Sequence, residues 1–143
     1  MGNRDKTKRI FYYRNGKLPM KSDITNRKDI EILVNTFYGK VRNNPVLGYI
    51  FNDIAKVSWE THLPKMYSFW TSILLGENSF SGNPMKKHIA LSKMTEITEK
   101  EFSEWLHLFM DTVDELFLGE KANEAKLRAG NIAQLMLHNI QAV

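Results

Sequence analysis

Cysteine is absent from all 143 residues, which removes disulfides, thiolate zinc sites, iron–sulfur clusters and thioether-attached haem in one step. Any metal held by this chain must sit on His, Met, Tyr or carboxylate side chains. Also missing is any run of the ~18 apolar residues that a membrane-spanning helix needs. The first residues, Met1 to Thr7, are polar and charged and lack the apolar stretch of a secretory signal. They begin Met-Gly, but Lys6 stands where a myristoylation signal wants Ser or Thr. We therefore read the chain as cytoplasmic, with no membrane span. No segment alternates apolar and polar residues as a half-buried strand would, and there are no internal repeats.

Charge is present but lopsided. Residues 1–28 carry nine Lys or Arg against Asp5 and Asp23, a balance of +7, and residues 29–143 carry eleven against fourteen, a balance of −3. The basicity belongs to an N-terminal arm, and a mildly acidic body argues against nucleic acid as a partner. In the arm, residues 1–22, the only apolar knot is Ile10-Phe11-Tyr12-Tyr13. That composition suits an arm that is partly disordered or docked through those rings, followed by a single domain over 23–143.

From Ser22 onward the pattern is helical. Ile30, Leu33, Val34, Phe37, Tyr38 and Val41 form one stripe, ended by Asn43-Asn44-Pro45, and Leu47 to Ile54 reads as a connecting turn carrying Phe51. A second helix starts near Val57 or Ser58 with the stripe Trp59, Leu63, Met66, Trp70, Ile73 and Leu74, and Gly76 stops it. Asn83 and Pro84 suit the cap and first position of a short helix that carries His88 one turn inside. Thr98 and Glu101 form a capping box opening a helix with the stripe Phe102, Trp105, Leu106, Phe109, Val113, Leu116 and Phe117, which Gly119 stops. The last helix, roughly Glu120 to Ile140, turns Ala125, Ala129, Ile132, Ala133, Met136 and Ile140 to one side. The expected fold is all-α: four amphipathic helices and one short one.

Four histidines remain to be placed. His107 and His138 fall off their apolar stripes and read as solvent-exposed. His62 and His88 lie near apolar faces of different helices, either as a shared site between helices or as two unrelated polar residues at the edge of the core. Phe37, Tyr38, Phe51, Met66, Phe69, Trp70, Trp105, Phe109 and Met110 are large and flat or polarisable. They suit the lining of a planar porphyrin, and equally a core of rings packed on one another. A di-iron carboxylate bundle needs a pair of inward-facing Glu-x-x-His motifs, and no such pair occurs.

Several blocks, in order, carry a resemblance. They are Asp29 to Tyr38, Leu47-Gly48-Tyr49-Ile50-Phe51-Asn52, Trp59-Glu60-Thr61-His62-Leu63, Phe69 to Gly76, Gly82-Asn83-Pro84-Met85-Lys86-Lys87-His88 and Phe102 to Phe109. With them the chain from about Asp23 to Ala142, roughly five-sixths of its length, resembles the group III truncated haemoglobins. These are bacterial globins with a two-over-two helical sandwich enclosing a haem. The resemblance implies that His88 is the proximal ligand of the haem iron and His62 the distal histidine, able in principle to ligate the iron itself. It implies that Tyr38 and Trp105 hydrogen-bond a ligand at the sixth coordination position. Phe51 is implied to pack on the haem face, with Met66, Phe69 and Trp70 in the pocket and Lys65 near a propionate. Two positions depart from the family's pattern: Tyr49 and Ser92 stand where proline is common.

The implied cofactor is non-covalent haem b. The implied ligands are oxygen, nitric oxide or peroxide, with nitric-oxide dioxygenation or peroxidase-like chemistry fed by an unidentified reductase. Two distal donors, the Tyr38 O–H and the Trp105 N–H, favour slow release of oxygen and so redox chemistry over transport. The competing reading is a cofactor-free helical module whose partner binds the basic arm.

Overall fold

The computed structural model describes residues 21–77 and 97–142. The His88 helix with its Asn83–Pro84 start, and residues 1–20 of the arm, lie outside them. Among the described residues there are five α-helices, one π-helical segment and no strand.

Helix α1 (Arg27–Asn43) begins where the Asn26 side chain accepts the backbone N–H of Asp29, and it ends at Asn44, held extended by the proline that follows. Its buried side chains are the expected stripe, Ile30, Leu33, Val34, Phe37, Tyr38 and Val41. Asn44 then serves three elements. Its Oδ1 caps helix α2 (Pro45–Gly48) through the Val46 and Leu47 N–H groups, and its Nδ2 donates to Glu104 Oε2 at 2.7 Å.

The stretch expected to be a connecting turn is helical instead. After α2 the chain widens into a π-helical segment, Tyr49–Ile54, closed by the Ala55 N–H on the Ile50 carbonyl at 2.8 Å. Two consecutive short elements give no second turn from which a period can be read, so the pattern was invisible. Gly48 is held so tightly against α1 that a Cβ there would lie 2.7 Å from the Arg42 carbonyl oxygen.

Helix α3 (Trp59–Leu75) runs through Pro64 and stops at Gly76, whose φ of 75° is the left-handed conformation that glycine allows. Helix α4 (Glu99–Leu116) opens with the expected capping box, Thr98 N–H donating to Glu101 Oε1 at 2.6 Å. Helix α5 (Glu120–Ala142) buries Ala122, Ala125, Ala129 and Ala133, small residues that let it lie close along α4. Its N-terminus is capped from far away in sequence: Asp23 accepts the N–H groups of Lys121 and Ala122, both at 2.9 Å. Gly119 makes room for this, with φ at 148° and a Cβ position only 2.4 Å from Asp23 Cγ. Beside it, Leu118 donates to the Ser22 carbonyl and Lys21 Nζ to the Asp114 carbonyl.

Helix α1 packs on both α3 and α4, α4 lies along α5, and α3 reaches α5. Two helix pairs thus stack, α1 with α3 over α4 with α5, the two-over-two arrangement expected. Phe37, Phe109 and Val113 are sealed at the centre. No helix among the described residues is long and apolar enough to cross a membrane.

Candidate functional site

Three elements meet on one side of that core. Helix α1 presents Tyr38, α3 presents Trp59, His62 and Met66 at one-turn intervals, and α4 presents Trp105 one turn before Phe109. Tyr38 sits at the centre. Its ring meets the His62 imidazole edge-on, with centroids 5.1 Å apart at 88°, and lies 5.9 Å from Phe51 and 5.6 Å from Trp59. His62 also meets Trp59 at 5.6 Å and 85°, and Phe51 at 6.1 Å. Among the described residues three rings surround the imidazole, and its Nε2 atom is shut off from solvent. Edge-to-face contacts of this kind set a positive ring edge against a negative ring face.

Burial pushes the Tyr38 hydroxyl well above the ordinary tyrosine range, and a hydrogen bond with Trp105 pulls more weakly the other way. The indole can only donate, so it is the Trp105 N–H that lies toward the Tyr38 oxygen. Behind this pair Trp105, Phe109 and Trp70 form a column, stacked at 5.8 Å and 4.7 Å with interplanar angles of 9° and 17°. Phe37 closes the column edge-on against Trp105 and Phe109.

The resemblance-derived residues fall into place unequally. Tyr38, His62, Trp105 and Phe51 gather in one cluster. Met66 and Phe69 lie half-buried beside it, and Phe69 meets Trp70 edge-on at 5.4 Å. Trp70 is 3% exposed and forms the back of the column. Lys65 is exposed next to Met66, and His88 lies outside the described residues. His107 and His138 are exposed, as expected, with His107 Nε2 at 3.2 Å from Asp111 Oδ2, away from the cluster. Met110, grouped with the facing rings from sequence, is exposed on the outer side of α4. It stands one residue past the sealed Phe109, and a helix turns neighbours about 100° apart.

Trp59 was missed as a site residue. It looked like one more member of a stripe, yet it stacks on Phe51 at 5.9 Å and 22°, donates its N–H to Asn52 Oδ1 at 3.2 Å, and lies 4.9 Å beneath the Arg42 guanidinium. The available signal was its position one turn before His62.

These residues fit a flat, largely apolar group with a reactive centre. Phe51, Met66, Phe69, Ile73 and Trp105 stay half-buried at the edge of a sealed core. Beside them three ring-borne polar groups, each from a different helix, share one small volume.

The known proteins that this chain is similar to agree with the geometry. A family model described as bacterial-like globin matches residues 22–139. A group 3 truncated haemoglobin of Campylobacter jejuni is 37% identical over 118 residues, a match covering 80% of this chain and 90% of that protein. The crystal structure of a group III truncated haemoglobin from Campylobacter jejuni superposes with a TM-score of 0.74 at 33% identity, covering 85% of this chain and 95% of that one.

Proposed function

Since the chain belongs to the bacterial-like globins, in the group III truncated haemoglobin branch, it is a haem-binding globin, and we propose that it holds haem b non-covalently with Tyr38, His62 and Trp105 facing the ligand. The observation that carries this is the convergence of those three side chains, with Tyr38 and His62 in ring contact and Tyr38 and Trp105 both packed edge-on against Phe37. His88 would hold the iron through a neutral imidazole. Phe51, Met66 and Phe69 would supply apolar contacts to the haem, with Trp70 behind them, and Lys65 would offer a cation to its carboxylates.

Bound haem supplies a coordination position for a diatomic ligand and one-electron redox chemistry. The chain's own residues do the rest. Tyr38, kept protonated by burial, donates its O–H toward a ligand that gains negative charge. Trp105 has one N–H, which lies toward the Tyr38 oxygen and would turn from it to reach the ligand, and it needs no pH-dependent proton. Each such bond contributes about 1–2 kcal/mol, a factor of about five to thirty in ligand release. His62 holds or delivers a proton beside them, the group that peroxide cleavage needs. The ring wall keeps water out and strengthens every one of these contacts.

Two neutral donors at one site favour retention of oxygen, and so nitric-oxide dioxygenation or peroxide handling supported by a reductase, over oxygen transport. Purified full-length protein should show a Soret band and consume nitric oxide when oxygenated; a protein without a Soret band overturns the haem reading. Peroxide turnover without nitric-oxide consumption would move the chemistry to the peroxidase side.

A further inference from the structure

His62 has two kinds of ring neighbour. Tyr38 is 5% exposed and backed by Phe37 and Phe109 at 1% and 0%. That side is closed to a small molecule. Phe51 and Trp59 are half-buried, and beyond Trp59 stand two exposed polar residues, Arg42 and Asn52. Among the described residues, Trp59 is the ring against His62 that is held from the solvent side, and the imidazole is itself half-buried with its Nε2 shut off from solvent.

That indole is held from three directions. Its face stacks on Phe51, its N–H is fixed by Asn52 Oδ1, and the Arg42 guanidinium lies over its ring. The holders come from separate elements, Arg42 from the last turn of α1 and Asn52 from the π-helical segment. Neither contributes to the sealed core, so their contacts with Trp59 fix the position of one ring and little else. A ring pinned beside the shut-off Nε2 atom of His62 limits how often a path to that atom opens.

Resting on the haem-binding reading above, we propose that Trp59, clamped by Arg42 and Asn52, sets the rate at which small neutral ligands reach the His62 side of the site. The clamp acts on ligand access, whereas Tyr38 and Trp105 act on ligand release. It is loosened from outside, at two exposed positions, without touching a group that faces the ligand. Its selectivity is steric and kinetic. Diatomic gases and peroxide pass when the indole moves.

The test is flash photolysis of the carbon-monoxide complex of the full-length holoprotein, with Arg42→Ala, Asn52→Ala and Trp59→Ala. Loss of the cation–π contact or of the indole hydrogen bond should raise the association rate constant about two- to fivefold each. Loss of the whole ring should raise it on the order of tenfold. Dissociation should change less than twofold in all three, a threshold of roughly the size of ordinary surface effects. A second readout reports the ring itself. Hydrogen exchange at the Trp59 indole N–H, followed by NMR in the diamagnetic carbon-monoxide complex, should speed up in Arg42→Ala and Asn52→Ala. Faster exchange with unchanged association would show that ligands travel by another way, and unchanged exchange would show that there is no clamp; either overturns the proposal. Should Trp59→Ala not fold, the two surface variants decide alone. A missing Soret band in the wild type marks failure of the haem reading, visible before any kinetics are run.

Discussion

Around Phe109, α1, α4 and α5 close on one another until Phe37, Phe109, Val113 and Ala129 have at most 1% of their surface exposed. Around His62, rings from α1, α3 and α4 stop short of that, and Phe51, Trp59 and Trp105 remain half-buried. The two regions also treat polar atoms differently. In the first, Thr112 Oγ1 donates to the Leu108 carbonyl one turn back, and Asp23 spends its carboxylate on the start of α5. In the second, the Tyr38 ring meets the His62 ring from another helix, and the Trp105 indole lies toward the Tyr38 hydroxyl. One region spends its polar groups on helix backbone and gives stability. The other gathers ring-borne polar groups from three helices.

The comparison makes substitutions separable: changes in the sealed region should alter stability and spare ligand kinetics, and changes in the ring region should do the reverse. The largest effect is expected at the iron. His88→Ala should lose the Soret band or regain it only with added imidazole, whereas His62→Ala should keep haem; the opposite pattern in absorbance spectra would exchange the two faces.

Next comes the sealed core. Phe109→Ala should cost about 3–5 kcal/mol in urea unfolding, as emptied aromatic sites do. Its neighbours Trp70 and Trp105 stack on it from both sides, so this substitution also asks how far the two regions are independent. A ligand-release rate that moved as much as the stability would break the separation.

Asp23→Ala should cost about 1–2 kcal/mol, the size of a lost helix cap, and leave ligand release unchanged. Removing residues 1–20 should leave both the spectrum and the stability as they are, because their strongly basic composition differs from that of the mildly acidic body. A protein that unfolds without those residues would join the arm to the body.

The smallest effect is at Glu101. Burial raises its carboxyl, but the Thr98 N–H and O–H hold it net below its ordinary value of 4.5. A depressed carboxylate contributes stability above the unfolded-state pKa and loses it as pH falls through the folded value. Glu101→Gln should therefore be slightly less stable than wild type near neutrality and converge with it below pH 4.5 in thermal scans. Equal melting temperatures at pH 7 would mean that the charge of the Glu101 carboxylate is not felt in the folded protein, since Gln keeps an acceptor for the Thr98 N–H.

What the sequence made legible was local. The α1 stripe, the Thr98–Glu101 capping box and the Gly76 stop all rest on contacts within one helix, and period and cap chemistry reveal such contacts directly. Tyr38, His62, Trp105 and Phe51 could be named from a family resemblance, and their meeting in one cluster is a property of the fold. What stayed hidden was long-range or too short to have a period. Asp23 caps a helix that starts almost a hundred positions later, and nothing near Glu120 announces it. The Tyr49–Ile54 segment lacks the length for a pattern. Trp59 is indistinguishable from a core tryptophan until Arg42 and Asn52 are seen to hold it.

The central claim is that three ring-borne groups on three elements stabilise one ligand, and oxygen release tests it most directly. Stopped-flow dissociation should be measured for Tyr38→Phe, Trp105→Phe and the double variant, with unfolding curves run on the same samples. The account predicts that each single change speeds oxygen release on the order of tenfold, the loss of one charge-assisted hydrogen bond, while association and stability move far less. Unchanged dissociation in all three proteins would contradict it.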